Sequence, residues 1–387
     1  MVHRAIAALL LLGFLGAQEH PVVTCRACYN HGSQPCAKHG KMLELEQVAH
    51  GTLFCSEVAA CKSCGGALAI DCKRCSNHAV ELELERRKEL VATWLQQRRK
   101  DVDAITANEP LMHLQTAHCD LTFSIRPLTV GRKKLDTHEL MHLYGERIES
   151  LRALFCETLE LSTADLPGRL EVYMFRDQHD HATLGPRVTG ISTSGAAGTK
   201  LMGVPCIYCM WQDPRLMAGD EELHRTLVHS LAHILFSNMV PSNWLGNRNQ
   251  GWLDAGIAHW FEDKVTGKCA NFCFEEILLQ PGAGFKGGVW RTPVRKMVDA
   301  GLAVSFAELS QRNTDQLSFE EHALSFALVD FLLSAHGGAK FRDFVRLIKR
   351  DSPTRDALQK VYGLNPLSID EAFKAWVKEN YSLRAPR

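Results

Sequence analysis

The sequence has no surplus of charge of either sign, because 44 lysines and arginines balance 44 aspartates and glutamates. A strongly basic chain would indicate a polyanionic partner or an anionic membrane surface. Neither is indicated here, and we predict that the protein does not bind nucleic acid. With 45% apolar and 23% charged residues, the 387-residue chain has an ordinary globular composition and can bury a core.

Long apolar runs are missing after the first 17 residues. A transmembrane helix needs about 20 consecutive apolar residues, and no later stretch reaches that length, so we predict no integral membrane segment in the mature chain. Residues 1–17 contain one arginine, a short apolar run and small residues at its end. This layout is typical of a secretory signal peptide. It predicts a secreted protein, or one of the periplasm or cell envelope.

Cysteine, in contrast, is abundant and clustered. Eight of the fourteen cysteines lie between positions 25 and 75, in a segment with three CxxC pairs and one CxxH pair. Two such pairs together can bind one tetrahedral zinc ion, so residues 18–80 are predicted to form a zinc-knuckle module that holds two ions. The predicted ligands are Cys25, Cys28, Cys36, His39, Cys61, Cys64, Cys72 and Cys75.

Disulfide bonds are the alternative for these cysteines, because an exported chain meets oxidising conditions. We favour zinc, since four such tight pairs are more typical of metal knuckles. The knuckle CKSCGG at 61–66 has two glycines where the chain must turn tightly. The segment is weakly similar to the cysteine-rich domain of J-domain chaperones and to zinc ribbons, although most glycines of the chaperone repeats are missing.

The rest of the chain indicates an α+β fold. Charged residues, with apolar residues at helical spacing, predict a connecting helix within 81–110. Residues 111–268 contain three strand-like segments and long helical segments, one of them with Asp220 as its N-cap. Residues 269–387 are predicted to form a helical C-terminal subdomain. We therefore expect a small mixed sheet with helices, after the cysteine-rich module.

The pentapeptide HSLAH at 229–233 is followed by a second helical segment that begins WLDAG at 252–256. This order resembles the gluzincin (peptidase MA-like) metallopeptidases, in which an active-site helix carries HExxH and a second helix begins with WLxEG. In that family the glutamate of WLxEG is the third zinc ligand. The resemblance covers roughly 112–380 and implies a zincin-like domain with zinc at the two histidines of HSLAH.

Two chemical positions depart from that family. Ser230 stands where the family has its general base, and Ala255 where it has its ligand glutamate. A hydroxyl without a neighbouring base does not accept the proton of water at neutral pH, so hydrolysis by the family mechanism should be largely lost. The alternative to a metal site is that the histidines are packed core residues. The predicted zinc ligands on this scaffold are His229 and His233, completed by His259 or Asp254.

His322 and a second pentapeptide, HELMH at 138–142, are further candidates. The resemblance places His322 where related enzymes have a polar group that stabilises the transition state. HELMH matches HExxH in spelling, with Glu139 as the general base, but the WLDAG helix is far along the chain and the nearest acids lie on the same helix. We predict that HELMH, including His142, lies on a solvated helix face and is not the active site.

Four later cysteines flank the two motif helices. They can form another metal site or disulfide bonds, and the sequence leaves both open. These cysteines are Cys206, Cys209, Cys269 and Cys273.

Together these features predict an exported zinc-binding protein whose metallopeptidase-like domain is catalytically degenerate and binds a peptide or protein. One alternative is an active zinc metallopeptidase that uses a shifted ligand set or the HELMH helix. Another is a structural envelope protein whose metals only stabilise it. We favour the first, in which the protein is not an enzyme.

Overall fold

The structure, a computed structural model, describes residues 24–38, 54–100, 111–202, 206–272 and 285–384. The predicted signal peptide, His39 and Cys273 lie outside these residues. The strands are β1 (Ser33–Pro35), β2 (Phe54–Cys55), β3 (Ala69–Asp71), β4 (Met112–Gln115), β5 (Cys119–Phe123), β6 (Leu128–Val130), β7 (Lys133–Leu135), β8 (Leu170–Phe175), β9 (Gly198–Leu201) and β10 (Cys206–Trp211).

Twelve α-helices lie within the described residues. They are α1 (Ser56–Ala59), α2 (His78–Arg99), α3 (Thr137–Thr158), α4 (Gln178–Thr189), α5 (Asp220–Asn238), α6 (Gly251–Thr266), α7 (Arg291–Asp299), α8 (Phe306–Leu309), α9 (Phe319–His336), α10 (Gly338–Lys349), α11 (Thr354–Tyr362) and α12 (Pro366–Asn380). HSLAH lies on α5, WLDAG begins α6, and HELMH lies at the start of α3.

A six-stranded mixed sheet forms the centre of the fold, with the strand order β2-β4-β5-β8-β10-β9. The β5–β8 and β8–β10 pairs are parallel, and the outer pairs are antiparallel. Val172 and Met174 of β8 belong to the main hydrophobic core, whereas Tyr173 and Phe175 belong to a second cluster that includes Leu184 of α4. Both faces of the sheet are therefore covered, and the predicted α+β class is confirmed.

The cysteine-rich segment is built on a two-stranded ribbon in which β1 pairs with β3. The two glycines of its CKSCGG turn, Gly65 and Gly66, have φ values of +54° and +89°, as expected for a tight turn that favours glycine. Helix α2 connects this segment to the sheet, because Arg98 Nη1 lies 3.0 Å from Glu171 Oε2 and Arg98 Nη2 donates to Thr122 Oγ1. The last turn of α2 therefore contacts the sheet.

Helix α5 begins one residue away from its predicted cap. The N-cap is Gly219, and Asp220 is the first helical residue. The Asp220 carboxylate accepts hydrogen bonds from Arg147 Nη1 at 2.6 Å, Arg147 Nη2 at 2.8 Å and the Tyr144 hydroxyl at 2.9 Å. The predicted N-cap role of Asp220 is therefore wrong, because a stronger charged partner on α3 binds this side chain.

Helices α6 and α9 approach each other closely at Gly256. A Cβ atom at this position would lie 2.5 Å from the carbonyl oxygen of Ser325, so only glycine permits the contact. None of the helices in the described ranges combines the length and the apolar composition that a membrane span requires.

Candidate metal centres

Two CxxC pairs from opposite ends of the cysteine-rich segment meet in one cluster. The sulfur atoms of Cys25, Cys28, Cys72 and Cys75 all lie within 4.8 Å of one another. The Cys25–Cys72 and Cys28–Cys75 sulfur distances are 3.7 and 3.0 Å. Ligand sulfurs around a tetrahedral zinc ion are about 3.8 Å apart, whereas bonded sulfurs are about 2.05 Å apart. The geometry therefore fits a Cys₄ metal site, and no disulfide bond joins any of the described cysteines.

A second thiol cluster contains Cys36, Cys61 and Cys64, whose sulfur atoms also lie within 4.8 Å of one another. The backbone N–H of Cys64 lowers the pKa of Cys61 to about 6, so this thiol is largely ionised at neutral pH. Zinc binds the thiolate form. The predicted fourth ligand, His39, lies outside the described residues.

The two histidines of HSLAH are neighbours on α5, with ring centroids 4.9 Å apart, but they contact different carboxylates. His229 Nδ1 lies 3.1 Å from Glu262 Oε2, whereas His233 Nδ1 lies 3.2 Å from Asp254 Oδ2. The ligand atoms of His229, His259 and Glu262 lie within 4.8 Å of one another. This set, which we call the helix-pair centre, joins α5 to α6.

Glu262 is completely buried and connects the helix-pair centre to the chain beyond α6. Its Oε1 atom accepts hydrogen bonds from the backbone N–H groups of Ala270 and Asn271, at 2.7 and 3.0 Å, and from the Asn271 side chain at 2.9 Å. Burial alone would raise the pKa of Glu262, but hydrogen bonds to His229 and His259 outweigh it and lower the pKa to about 2. Glu262 is therefore a buried anion at neutral pH.

Asp254 forms a separate pair with His233 rather than joining the helix-pair centre. Its Oδ2 atom also accepts hydrogen bonds from Trp244 Nε1 at 3.0 Å and Thr314 Oγ1 at 3.1 Å. Burial would raise the pKa of Asp254, but His233 and these donors lower it. Asp254 thus anchors the loop before α6 and the turn before α9.

His322 reaches the helix-pair centre from α9, because its Nδ1 atom lies 3.2 Å from His259 Nε2. The aromatic rings of Trp290 and Phe272 pack against His259, with centroid distances of 4.6 and 5.2 Å. The side chains of His229, His259, Glu262 and His322 are each at most 1% exposed. The centre is therefore enclosed by protein.

The positions of the missing family residues are also buried. Ser230 is 6% exposed and Ala255 is completely buried. Sequence reasoning identified His259 as a candidate ligand but missed Glu262. The available signal was the spacing of these two residues, because positions i and i+3 lie on one face of a helix.

The HELMH helix face is less exposed than the sequence predicted. Glu139 is exposed as expected, and its carboxylate accepts hydrogen bonds from Lys133 Nζ at 2.7 Å and from the Asp136 N–H at 3.0 Å. His142 is half-buried rather than fully solvated, and its Nε2 atom lies 3.6 Å from Cys55 Sγ. Strand β2, at the edge of the sheet, covers this part of α3.

The later cysteines do not gather at one point among the described residues. Cys206 and Cys209 belong to the two hydrophobic clusters on opposite faces of the sheet, because residues three apart in a strand point in opposite directions. Cys269 is buried and its thiol donates to the carbonyl oxygen of His259 at 3.3 Å. One ion therefore cannot bind Cys206 and Cys209 together.

Comparison with solved structures gives a distant structural likeness. No protein-family model matches the chain, and no curated protein matches it. Among solved structures, the chain is similar to an M1 zinc metallopeptidase from Deinococcus radiodurans, with 14% sequence identity and a TM-score of 0.33. The match covers 70% of this chain and 50% of that chain, so the protein spans about half the length of that enzyme.

Proposed function

We propose that the protein is an exported zinc-binding protein whose gluzincin-like domain is catalytically degenerate and binds a peptide or protein. The observation that carries the proposal is the helix-pair centre itself. It keeps a ligand set suited to zinc, but it is enclosed and has Ser230 where the family has its general base.

The helix-pair centre fits a zinc ion in its donor chemistry. Two imidazoles and one carboxylate are a ligand set found in zinc peptidases. The Glu262 oxygen lies 3.1 and 3.5 Å from the nearer nitrogens of His229 and His259, close to the separation of about 3.3 Å expected between ligands of a tetrahedral zinc ion. A bound zinc ion would polarise a carbonyl group or a water molecule there.

Hydrolysis also needs a proton acceptor and access for a peptide, and the helix-pair centre offers neither in a usable form. The hydroxyl of Ser230 is not a base at neutral pH. Glu262 already accepts three hydrogen bonds at one oxygen and contacts two imidazoles at the other. Trp290 and Phe272 cover the His259 ring. These contacts favour a structural role for the metal.

We also assign a structural role to metal in the N-terminal segment, where each of the two thiol clusters would bind one zinc ion. Peptide or protein binding is the use that we assign to the whole chain. The family resemblance implies a scaffold that holds peptides, and the replacement of the base by Ser230 removes the chemical step rather than the scaffold. The features of residues 1–17 support export.

A peptidase assay on the zinc-loaded full chain tests the loss of catalysis. We expect no chelator-sensitive cleavage of a mixed set of fluorogenic peptides. Cleavage that is lost in His229→Ala, but kept in the exposed control His179→Ala, would overturn the proposal. Cleavage that is lost instead in Glu139→Gln would identify the HELMH helix as the active site.

A peptide-display selection on the purified full chain tests the binding role. We expect enrichment of related sequences that bind the natural protein. If no sequence is enriched, the structural alternative replaces the binding role.

A further inference from the structure

We propose that Cys55, His138 and His142 form a further zinc site that fastens the edge strand β2 to helix α3. The three residues come from parts of the chain that are 83 and 87 positions apart. Their ligand atoms lie within 4.8 Å of one another. The site is distinct from the two thiol clusters and from the helix-pair centre, because it shares no residue with them.

The distances within this group match the ligand sphere of a tetrahedral zinc ion. Cys55 Sγ lies 3.4 Å from His138 Nε2 and 3.6 Å from His142 Nε2, and the two Nε2 atoms lie 3.0 Å apart. For zinc, the expected sulfur–nitrogen and nitrogen–nitrogen separations are about 3.6 and 3.3 Å. A thiolate with two imidazoles also favours zinc over magnesium or calcium, which prefer oxygen ligands.

Hydrogen bonding does not account for all three contacts at once. Each Nε2 atom either has a proton or a lone pair, but not both. Whichever protons are present, at most two of the three contacts are well-formed hydrogen bonds, whereas a shared cation satisfies all three. The convergence of Cys55, His138 and His142 is therefore better explained by an ion.

Both elements hold their ligands in fixed positions. The N-terminus of α3 is fixed by a capping box, in which Asp136 accepts from the Glu139 N–H and Glu139 accepts from the Asp136 N–H. His138 and His142 then lie one turn apart on the same face. Cys55 is 4% exposed and is held by pairing with Leu114 in β4.

The surroundings indicate a fastening role rather than hydrolysis. Glu139 occupies the sequence position of a general base, but both of its carboxylate oxygens are bound, one by Lys133 and one by the cap. Strand β2 has only two residues, so few backbone hydrogen bonds hold it. A zinc ion bound by residues of both β2 and α3 would hold this strand in place where backbone hydrogen bonds are few.

Native mass spectrometry of the zinc-loaded full chain tests the site. We expect Cys55→Ala and His142→Ala each to bind one zinc ion fewer than the natural protein. The matched controls Cys156→Ser and His179→Ala replace residues outside the four clusters and should keep the natural count. The same zinc count in either folded site variant and in the natural protein would overturn the proposal.

The two site variants are on different elements, and His142→Gln is a third variant that removes the ligand while keeping a polar side chain of similar size. Hydrogen exchange supplies a second readout. Loss of the ion in His142→Ala should speed exchange at Phe54 and Cys55, although the substitution is on α3. Unchanged exchange in a variant that has lost its zinc would overturn the fastening role.

Discussion

Glu262 Oε2 lies 3.1 Å from His229 Nδ1, and both side chains are at most 1% exposed. This relationship, rather than the one between His229 and His233, defines the helix-pair centre. Because Glu262 also accepts hydrogen bonds from the chain at Ala270 and Asn271, one carboxylate links α5, α6 and the segment that follows.

Glu262→Gln tests this centre most directly, because it removes the charge and keeps the size of the side chain. We expect loss of one zinc ion and a decrease of about 1–3 kcal/mol in the free energy of unfolding, since the buried donors at Ala270 and Asn271 lose a charged acceptor. Urea denaturation and metal analysis measure the two effects. Glu157→Gln, at an exposed position, is the control. Natural stability and zinc content in Glu262→Gln would rule out our assignment.

Cys72→Ser should remove one zinc ion from the N-terminal segment and loosen its fold. Cys72 belongs to the Cys₄ cluster and is buried, and metal binding supplies folding free energy to small thiolate modules. Metal analysis and hydrogen exchange over residues 24–38 and 69–75 measure these effects, with Cys156→Ser as the matched control. Finding these cysteines in disulfide bonds, with no metal, would contradict the prediction.

Asp330→Ala should strongly destabilise the C-terminal helices. The nearly buried carboxylate of Asp330 accepts hydrogen bonds from Trp260 Nε1 at 2.9 Å and from the Tyr381 hydroxyl at 2.7 Å, and it lies 3.3 Å from Arg291 Nε. We expect a loss of about 2–4 kcal/mol in denaturant unfolding, because two buried donors lose their acceptor, whereas the half-exposed Arg291 keeps its ion pair with Asp263. Tyr381→Phe removes one of these bonds and should cost about 1 kcal/mol. Equal effects of the two substitutions would show that the hydrogen bond from Tyr381 accounts for the whole contribution of Asp330.

Asp220 should make stability depend on pH. Burial would raise the pKa of Asp220, but the hydrogen bonds and charge of Arg147 lower it below the ordinary value of 3.8. A lowered folded-state pKa contributes stability that is present above about pH 4 and is lost as the pH falls through the folded-state value. Asp220→Asn should therefore be less stable than the natural protein at pH 7, by about 1–3 kcal/mol.

The difference in the free energy of unfolding between Asp220→Asn and the natural protein should decrease as the pH falls below about 4. Urea denaturation at a series of pH values measures it, with the exposed Asp315→Asn as the control. If this difference stays constant until the protein unfolds in acid, Asp220 is not the source of the pH dependence.

Local sequence patterns predicted most of the long helices and a small mixed sheet, because apolar spacing is a property of neighbouring residues. They also paired the CxxC motifs with metal chemistry. They did not predict which carboxylate each histidine of HSLAH contacts, since His229 and Glu262 meet only through the crossing of α5 and α6. Cys55 was missed as a partner of HELMH for the same reason. Asp220 resembles an N-cap locally, but the competing partner, Arg147, is on another helix.

Gly256 has no side chain, and for this reason it controls how close α6 and α9 come next to the helix-pair centre, although it provides no ligand atom. A Cβ atom at this position would lie 2.5 Å from the Ser325 carbonyl oxygen, so the absence of a side chain lets α6 and α9 come this close. Three residues later, His259 meets His322 across the same interface. Any larger residue at 256 would act as a wedge between the helices. The distance between these two imidazoles therefore depends on how closely the helices approach at Gly256. A substitution at this position, which has no ligand atom, can disrupt the helix-pair centre.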